Sequence, residues 1–227
     1  MPATAAAALV VTGCGGGGDG GPGVVRVAVG RPGLLDEAAT GFAVDGGRVV
    51  TVAHVLADGE AVQVDGQLAV TTRDDVTADL ALLAVRGPAP RPAARLATGR
   101  SGGGGTADLT SGLFDGGAGD DGEGDPAGPV VVRVLRDGAP RELPARVVRR
   151  VTARVGRAFE TRRVSRPALE LDAAGIRAGD SGAPVLDGDG RVVGVLFARS
   201  AGRGRTAWAV DAAAVRALLS ASAPRSP

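Results

Sequence analysis

From Val24 onward the chain is a succession of short β-type runs separated by turn signals, and this punctuation restricts it to an all-β fold. The runs are VVRVAV (24–29), GFAVDGGRVVTVA (41–53), AVQVDGQLAVTT (61–72), LALLAV (80–85), VVVRVLRDG (130–138), ARVVRRVTARV (145–155), ALELDA (168–173), GAPVLDGDGRVVGVLFA (182–198) and TAWAV (206–210). Asp45-Gly46-Gly47, Asp65-Gly66, Asp137-Gly138 and Asp187-Gly188-Asp189-Gly190 lie within or beside these runs. Asp and Gly tolerate the positive φ that tight hairpins require, so each pair marks a reversal of the chain. With 227 residues the chain is long enough to bury a core without staples. It has to be, because Cys14 is the only cysteine and an internal disulfide is impossible.

Two stretches interrupt the β pattern. Residues 99–128 are rich in Gly and Asp and are expected to combine a crossover with a surface loop. At the other end, residues 211–220 hold good helix formers behind Asp211, an N-cap, with Val215, Leu218 and Leu219 on one face. A helix packed on the second half of the chain is the expectation there. Strand runs on both sides of the central break then suggest two β-barrels, about 24–98 and 129–210, within one folded unit spanning 24–220.

The first 23 residues read differently. Ala5–Val11 is apolar but far short of the ~20 residues that span a bilayer, so residues 1–13 suit a signal leader better than a membrane helix. Val11-Thr12-Gly13-Cys14 resembles the lipobox of bacterial lipoproteins, which implies lipidation of Cys14, export and a membrane tether; ordinary secretion and a disordered leader without an anchor are the alternatives. No Arg or Lys precedes the apolar run, a departure from that pattern. Residues 14–23 form a Gly-rich linker; as a flexible coil, the nine residues 15–23 would span roughly 15–17 Å.

Charge excludes several function classes. All 26 cations are arginine, but 25 carboxylates balance them to a net +1, which gives no electrostatic case for a nucleic-acid partner. One His and one Cys, distant in sequence, make no metal cluster. GRSGGGGT (99–106) lacks the Lys of a phosphate-binding loop, so no cofactor is expected.

Three short motifs carry chemistry. TVAHVL (51–56) contains the only histidine, and alone it leaves His54 open between a core residue and a base. TADLALLAV (77–85) opens a buried run with Asp79, whereas Asp74 and Asp75 lack an apolar run immediately behind them. AGDSGAPV (178–185) flanks Ser181 with Gly and Asp, where the backbone can turn sharply and aim N–H groups outward, as an oxyanion site requires. The order His, Asp, Ser, at separations of 25 and 102 residues, differs from the order found in subtilisins and α/β-hydrolases.

GDSGAPVLDGDGRVVGVLF resembles the nucleophile segment of trypsin-like serine proteases, with Ala183 in place of a second Gly. TVAHVL and DLALL resemble the same family's histidine and aspartate motifs. The likeness covers Gly41–Val85 and Ala168–Leu219, and is greatest to exported, membrane-anchored periplasmic serine proteases of actinobacteria. It implies two six-stranded antiparallel β-barrels with a C-terminal α-helix, and a serine endopeptidase that acts through an acyl-enzyme. His54, Asp79 and Ser181 would be its catalytic residues, and the N–H groups of Gly179 and Ser181 its oxyanion hole.

The resemblance also implies substrate-binding walls at Gly175, Ile176, Arg177 and Ala178 on one side and Leu196, Phe197, Ala198 and Arg199 on the other. Gly175 stands six residues before the serine, where proteases that cut after Arg or Lys carry an acid, so a small or apolar residue is expected before the cut. In activated members Asp180 pairs with a freed N-terminus; no clear activation site is seen here, and either such a terminus or one of the many arginines could supply the partner charge. The implied partners are protein or peptide substrates, acted on by a monomer. Two other readings share these residues: an idle trypsin-like module that binds peptides through its cleft, and an esterase using the same acyl-enzyme chemistry.

Overall fold

The computed structural model describes residues 21–31, 34–56, 61–88, 90–98, 105–110, 128–156 and 164–221. The leader with Cys14, the linker to residue 20, and residues 99–104 and 111–127 of the Gly/Asp-rich stretch lie outside them.

Strands β1 (Val24–Arg31), β2 (Leu34–Val44), β3 (Arg48–Thr51), β4 (Ala61–Val64), β5 (Gln67–Asp75) and β6 (Leu80–Val85) close a barrel in the order β1-β2-β3-β6-β5-β4. Every pairing in it is antiparallel. Closure removes both free edges, and alternate side chains point inward. Phe42, Val27, Val49, Val50, Leu80 and Leu82 are fully buried. The Asp65-Gly66 hairpin has φ of 47° and 78°, both left-handed, as a tight reversal between β4 and β5 demands.

Beyond β6, the strands β7 (Gly105–Thr110), β8 (Pro129–Arg136), β9 (Ala139–Gly156), β10 (Val164–Ala173), β11 (Pro184–Leu186), β12 (Val192–Arg199) and β13 (Thr206–Asp211) form one sheet, ordered β10-β13-β12-β11-β8-β9-β7. Because β9 also pairs with β10, strands β8 to β13 close on themselves as a six-stranded ring. β7 is appended parallel to β9. The described residues therefore form the two six-stranded barrels and C-terminal helix that the resemblance implies.

Three features depart from the expected layout. The first half of β2, LLDEAATG, has no β-type run, yet its backbone pairs with β1 from Arg31↔Leu34 to Val25↔Gly41. A neighbouring Val-rich strand recruits it despite weak local propensity. β7 arises inside the Gly/Asp-rich stretch for the same reason. The helix α1 (Ala212–Ser220), expected on the second barrel alone, also packs on β5 and β6 of the first. Arg73 donates to the Ala221 carbonyl at 2.6 Å and Arg216 donates to the Ala97 carbonyl, so the helix ties both halves together. Asp211 caps it, accepting the Ala213 N–H at 2.8 Å while ion-paired to Arg150.

The two barrels share one apolar cluster. Val24, Val50, Leu80, Val151, Phe197, Trp208 and Val215 all belong to it, and a second cluster around Leu169, Leu171 and Leu196 fills the later ring. Gly21 and Pro22, assigned to the linker from sequence, are buried, and the Gly23 N–H donates to the Pro92 carbonyl at 2.8 Å. The segment before β1 is thereby tied to the stretch that follows β6.

Candidate active site

His54 follows β3, in the turn where that strand leaves the barrel, and Asp79 stands immediately before β6, its neighbour in the sheet. Adjacent strand ends deliver the two side chains to one place. His54 Nδ1 lies 2.8 Å from Asp79 Oδ2, and Asp79 Oδ1 accepts the backbone N–H of His54 at 2.8 Å. A carboxylate only accepts, so Nδ1 carries the ring proton and Nε2 is left as the base. Asp79 is 6% exposed and adopts φ 59°, a left-handed conformation that few side chains other than Asn and Asp tolerate. Such strain persists only where surrounding contacts over-determine it. Of the competing acids, Asp75 accepts the Ala78 N–H at 2.9 Å as a turn residue, and Asp74 is exposed.

Ser181 sits in the loop between β10 and β11, fastened to the first barrel by the β2 strand. The Thr40 N–H donates to the Ser181 carbonyl at 2.8 Å, the Thr40 hydroxyl to the Gly179 carbonyl at 3.0 Å, and the Thr51 hydroxyl to the Thr40 carbonyl at 2.9 Å. Thr40 and Thr51 are buried with these contacts satisfied. Gly182 has φ 88°, and a Cβ there would lie 1.9 Å from the Thr40 carbonyl oxygen, so only glycine fits. Gly179 has φ 90°, and among the described residues neither its N–H nor that of Ser181 donates to another group. Two free N–H groups thus flank the serine. No hydrogen bond joins Ser181 to His54 among the described residues, a common state of such pairs before substrate binds.

The loop is pinned from beneath by Asp180, 3% exposed. Arg136, at the end of β8, donates to it through Nη2 at 2.6 Å, and reaches the Gly175 carbonyl at 2.6 Å. The Arg177 N–H donates to the same carboxylate at 2.7 Å. Of the two partners the sequence left open for Asp180, Arg136 fills the place. A cleft of about 640 Å³ runs beside this loop, lined by Thr40, Gly179, Asp180, Arg136 and Arg177 among others.

The expected binding walls divide on inspection. Gly175, Arg177 and Ala178 of the serine loop and Arg199 at the end of β12 are exposed, and Ala198 is half-buried. Ile176 packs against the second core, and Leu196 is buried within it; the Leu196 carbonyl, not its side chain, meets the serine loop by accepting the Gly182 N–H at 2.7 Å. Phe197 is buried under the guanidinium of Arg166. Thr40, Arg136 and Arg166 were not anticipated. No sequence signal distinguishes the two arginines among twenty-six. At the far end of β10, the exposed Arg205 hydrogen-bonds to Asp172 at 2.7 Å and holds its carboxyl below the usual carboxylate range.

Residues 39–195 match the trypsin-like peptidase domain, and the chain belongs to that family. It is a serine-type endopeptidase that acts on protein or peptide substrates. Among solved structures it is similar to the Rv3671c protease of M. tuberculosis in its active form, with TM-score 0.69 and 25% identity over 91% of this chain and 83% of that one. It also resembles a serine-to-alanine mutant of the same protease in an inactive form, with TM-score 0.64 and 25% identity over 90% of each chain. A further inactive form gives TM-score 0.63 and 26% identity over 89% of this chain and 90% of that one. No curated protein sequence matches.

Proposed function

We propose that peptide hydrolysis here runs through His54, Asp79 and Ser181. The observation that carries the reading is the 2.8 Å contact between His54 Nδ1 and Asp79 Oδ2, which leaves Nε2 free to act as a base. The Ser181 Oγ attacks the peptide carbonyl carbon while Nε2 takes its proton, and the carbonyl oxygen gathers the negative charge. The N–H groups of Gly179 and Ser181 receive that oxyanion. The C–N bond then breaks as the imidazolium returns the proton to the leaving amine, and water releases the acyl group by the same steps.

The residue before the cut is small or apolar, because Gly175 brings no acid to the site and Arg177 and Arg199 are exposed beside it. The enzyme works outside the cytoplasm as a monomer, tethered through lipidated Cys14; the Gly-rich run behind that cysteine suits such a tether. Digestion of a peptide library by the wild type and by Ser181→Ala tests the reading. The wild type cuts after small or apolar residues and the variant is at least ~10³-fold slower. Strict cutting after Arg or Lys contradicts the specificity, and equal cutting by both proteins contradicts the chemistry.

A further inference from the structure

Arg166, on β10, is buried to 6% side-chain exposure and approaches Asp79 from the second barrel. Its Nη1 lies 3.0 Å from Asp79 Oδ2, the oxygen that also meets His54 Nδ1. Neither Nε nor Nη1 makes an aligned hydrogen bond among the described residues, so the attraction to Asp79 is one of charge. The guanidinium also stands 5.2 Å from the centroid of the Phe197 ring, a cation–π contact that holds it in place. A buried cation requires a counter-charge. Asp79 is the acid with which Arg166 forms an ion pair.

We propose that Arg166 is a positioning residue that shares the Asp79 charge with His54 and thereby makes the imidazole a weaker base. The inference rests on His54 acting as the general base. With Asp79 negative, Arg166 positive and His54 neutral, the cluster carries no net charge at rest, and protonating His54 adds one. Without Arg166 the carboxylate would favour the imidazolium more strongly, and the neutral imidazole would prevail only at higher pH. Arg166 therefore extends activity toward lower pH.

The other charges around Asp79 do not replace this effect. Asp74 and Asp75, at the end of β5 before its turn, are exposed. The serine loop brings Asp180, already paired with Arg136. β12 presents the uncharged Phe197 and Ala198 before the exposed Arg199.

The test is the pH profile of kcat/KM for wild type, Arg166→Gln and Arg166→Met, with folding followed by circular dichroism. Both neutral variants move the acid limb up by about one pH unit, a roughly tenfold extra loss at the acid end relative to pH 8. If neither folds, Arg166→Lys is measured, and its shorter, more distant charge moves the limb in the same direction by less. A loss of the same factor at every pH, in whichever variants fold, overturns the proposal and marks Arg166 as structural. Activity that does not depend on His54 overturns the catalytic reading instead. The two failures are therefore distinguishable.

Discussion

Replacing His54 with alanine lowers kcat/KM on a peptide substrate by at least ~10³-fold and leaves the melting curve nearly unchanged. Both halves of this outcome follow from where the residue sits. The His54 side chain is 39% exposed, so its removal opens little core, and Asp79 keeps the His54 backbone N–H and Arg166 as partners. Catalysis has no such reserve. A serine hydroxyl at neutral pH is a poor nucleophile without an adjacent base. No second imidazole exists anywhere in the chain to take the proton. Steady-state rates from pH 5 to 9, with thermal unfolding of the same samples, check this; activity within tenfold of wild type contradicts it.

Arg136→Ala is expected to be nearly as damaging, by another route. It leaves the carboxylate of Asp180 buried beneath the serine loop without its cation, and breaking a buried pair from one side costs ~3–5 kcal/mol. Relief comes from turning the carboxylate outward, which drags Gly179 and Ser181 with it and dismantles the proposed oxyanion site. Loss of one such donor costs about 10²–10³-fold in kcat. Arg136→Lys keeps the charge but not the double contact to Asp180 and Gly175, and recovers only part of the rate. A guanidinium stays charged through the alkaline range, whereas an N-terminal amine titrates near ~7.7–8.0. The wild type therefore keeps its rate as pH rises past 9. A steep alkaline loss there, with Arg136→Ala fully active, contradicts the role given to this ion pair.

The sequence made the motifs easier to read than the residues that support them. His54, Asp79 and Ser181 sit in motifs whose flanks are local, since each needs a strand end or a glycine turn immediately beside it. The Asp-Gly hairpins were legible for the same reason, and Asp65-Gly66 and Asp137-Gly138 both have left-handed backbones. Arg136 and Arg166 were not legible, because each acts on a residue 44 or 87 positions away through a barrel that only tertiary pairing creates. The first half of β2 was missed because LLDEAATG carries no alternating apolar pattern; its strand state comes from β1 beside it. The helix was found from Asp211 and its apolar face, but its contact with the first barrel depends on Arg73 and Arg216 reaching carbonyl groups far along the chain.

The most direct measurement is the reaction of the intact protein with a fluorophosphonate probe, followed by mass spectrometry of the adduct. Only an activated serine beside an oxyanion site reacts rapidly with such a probe. A single adduct on Ser181, absent in Ser181→Ala and formed far more slowly in His54→Ala, is the predicted result. An unlabelled wild type, or an adduct on another serine, contradicts the account.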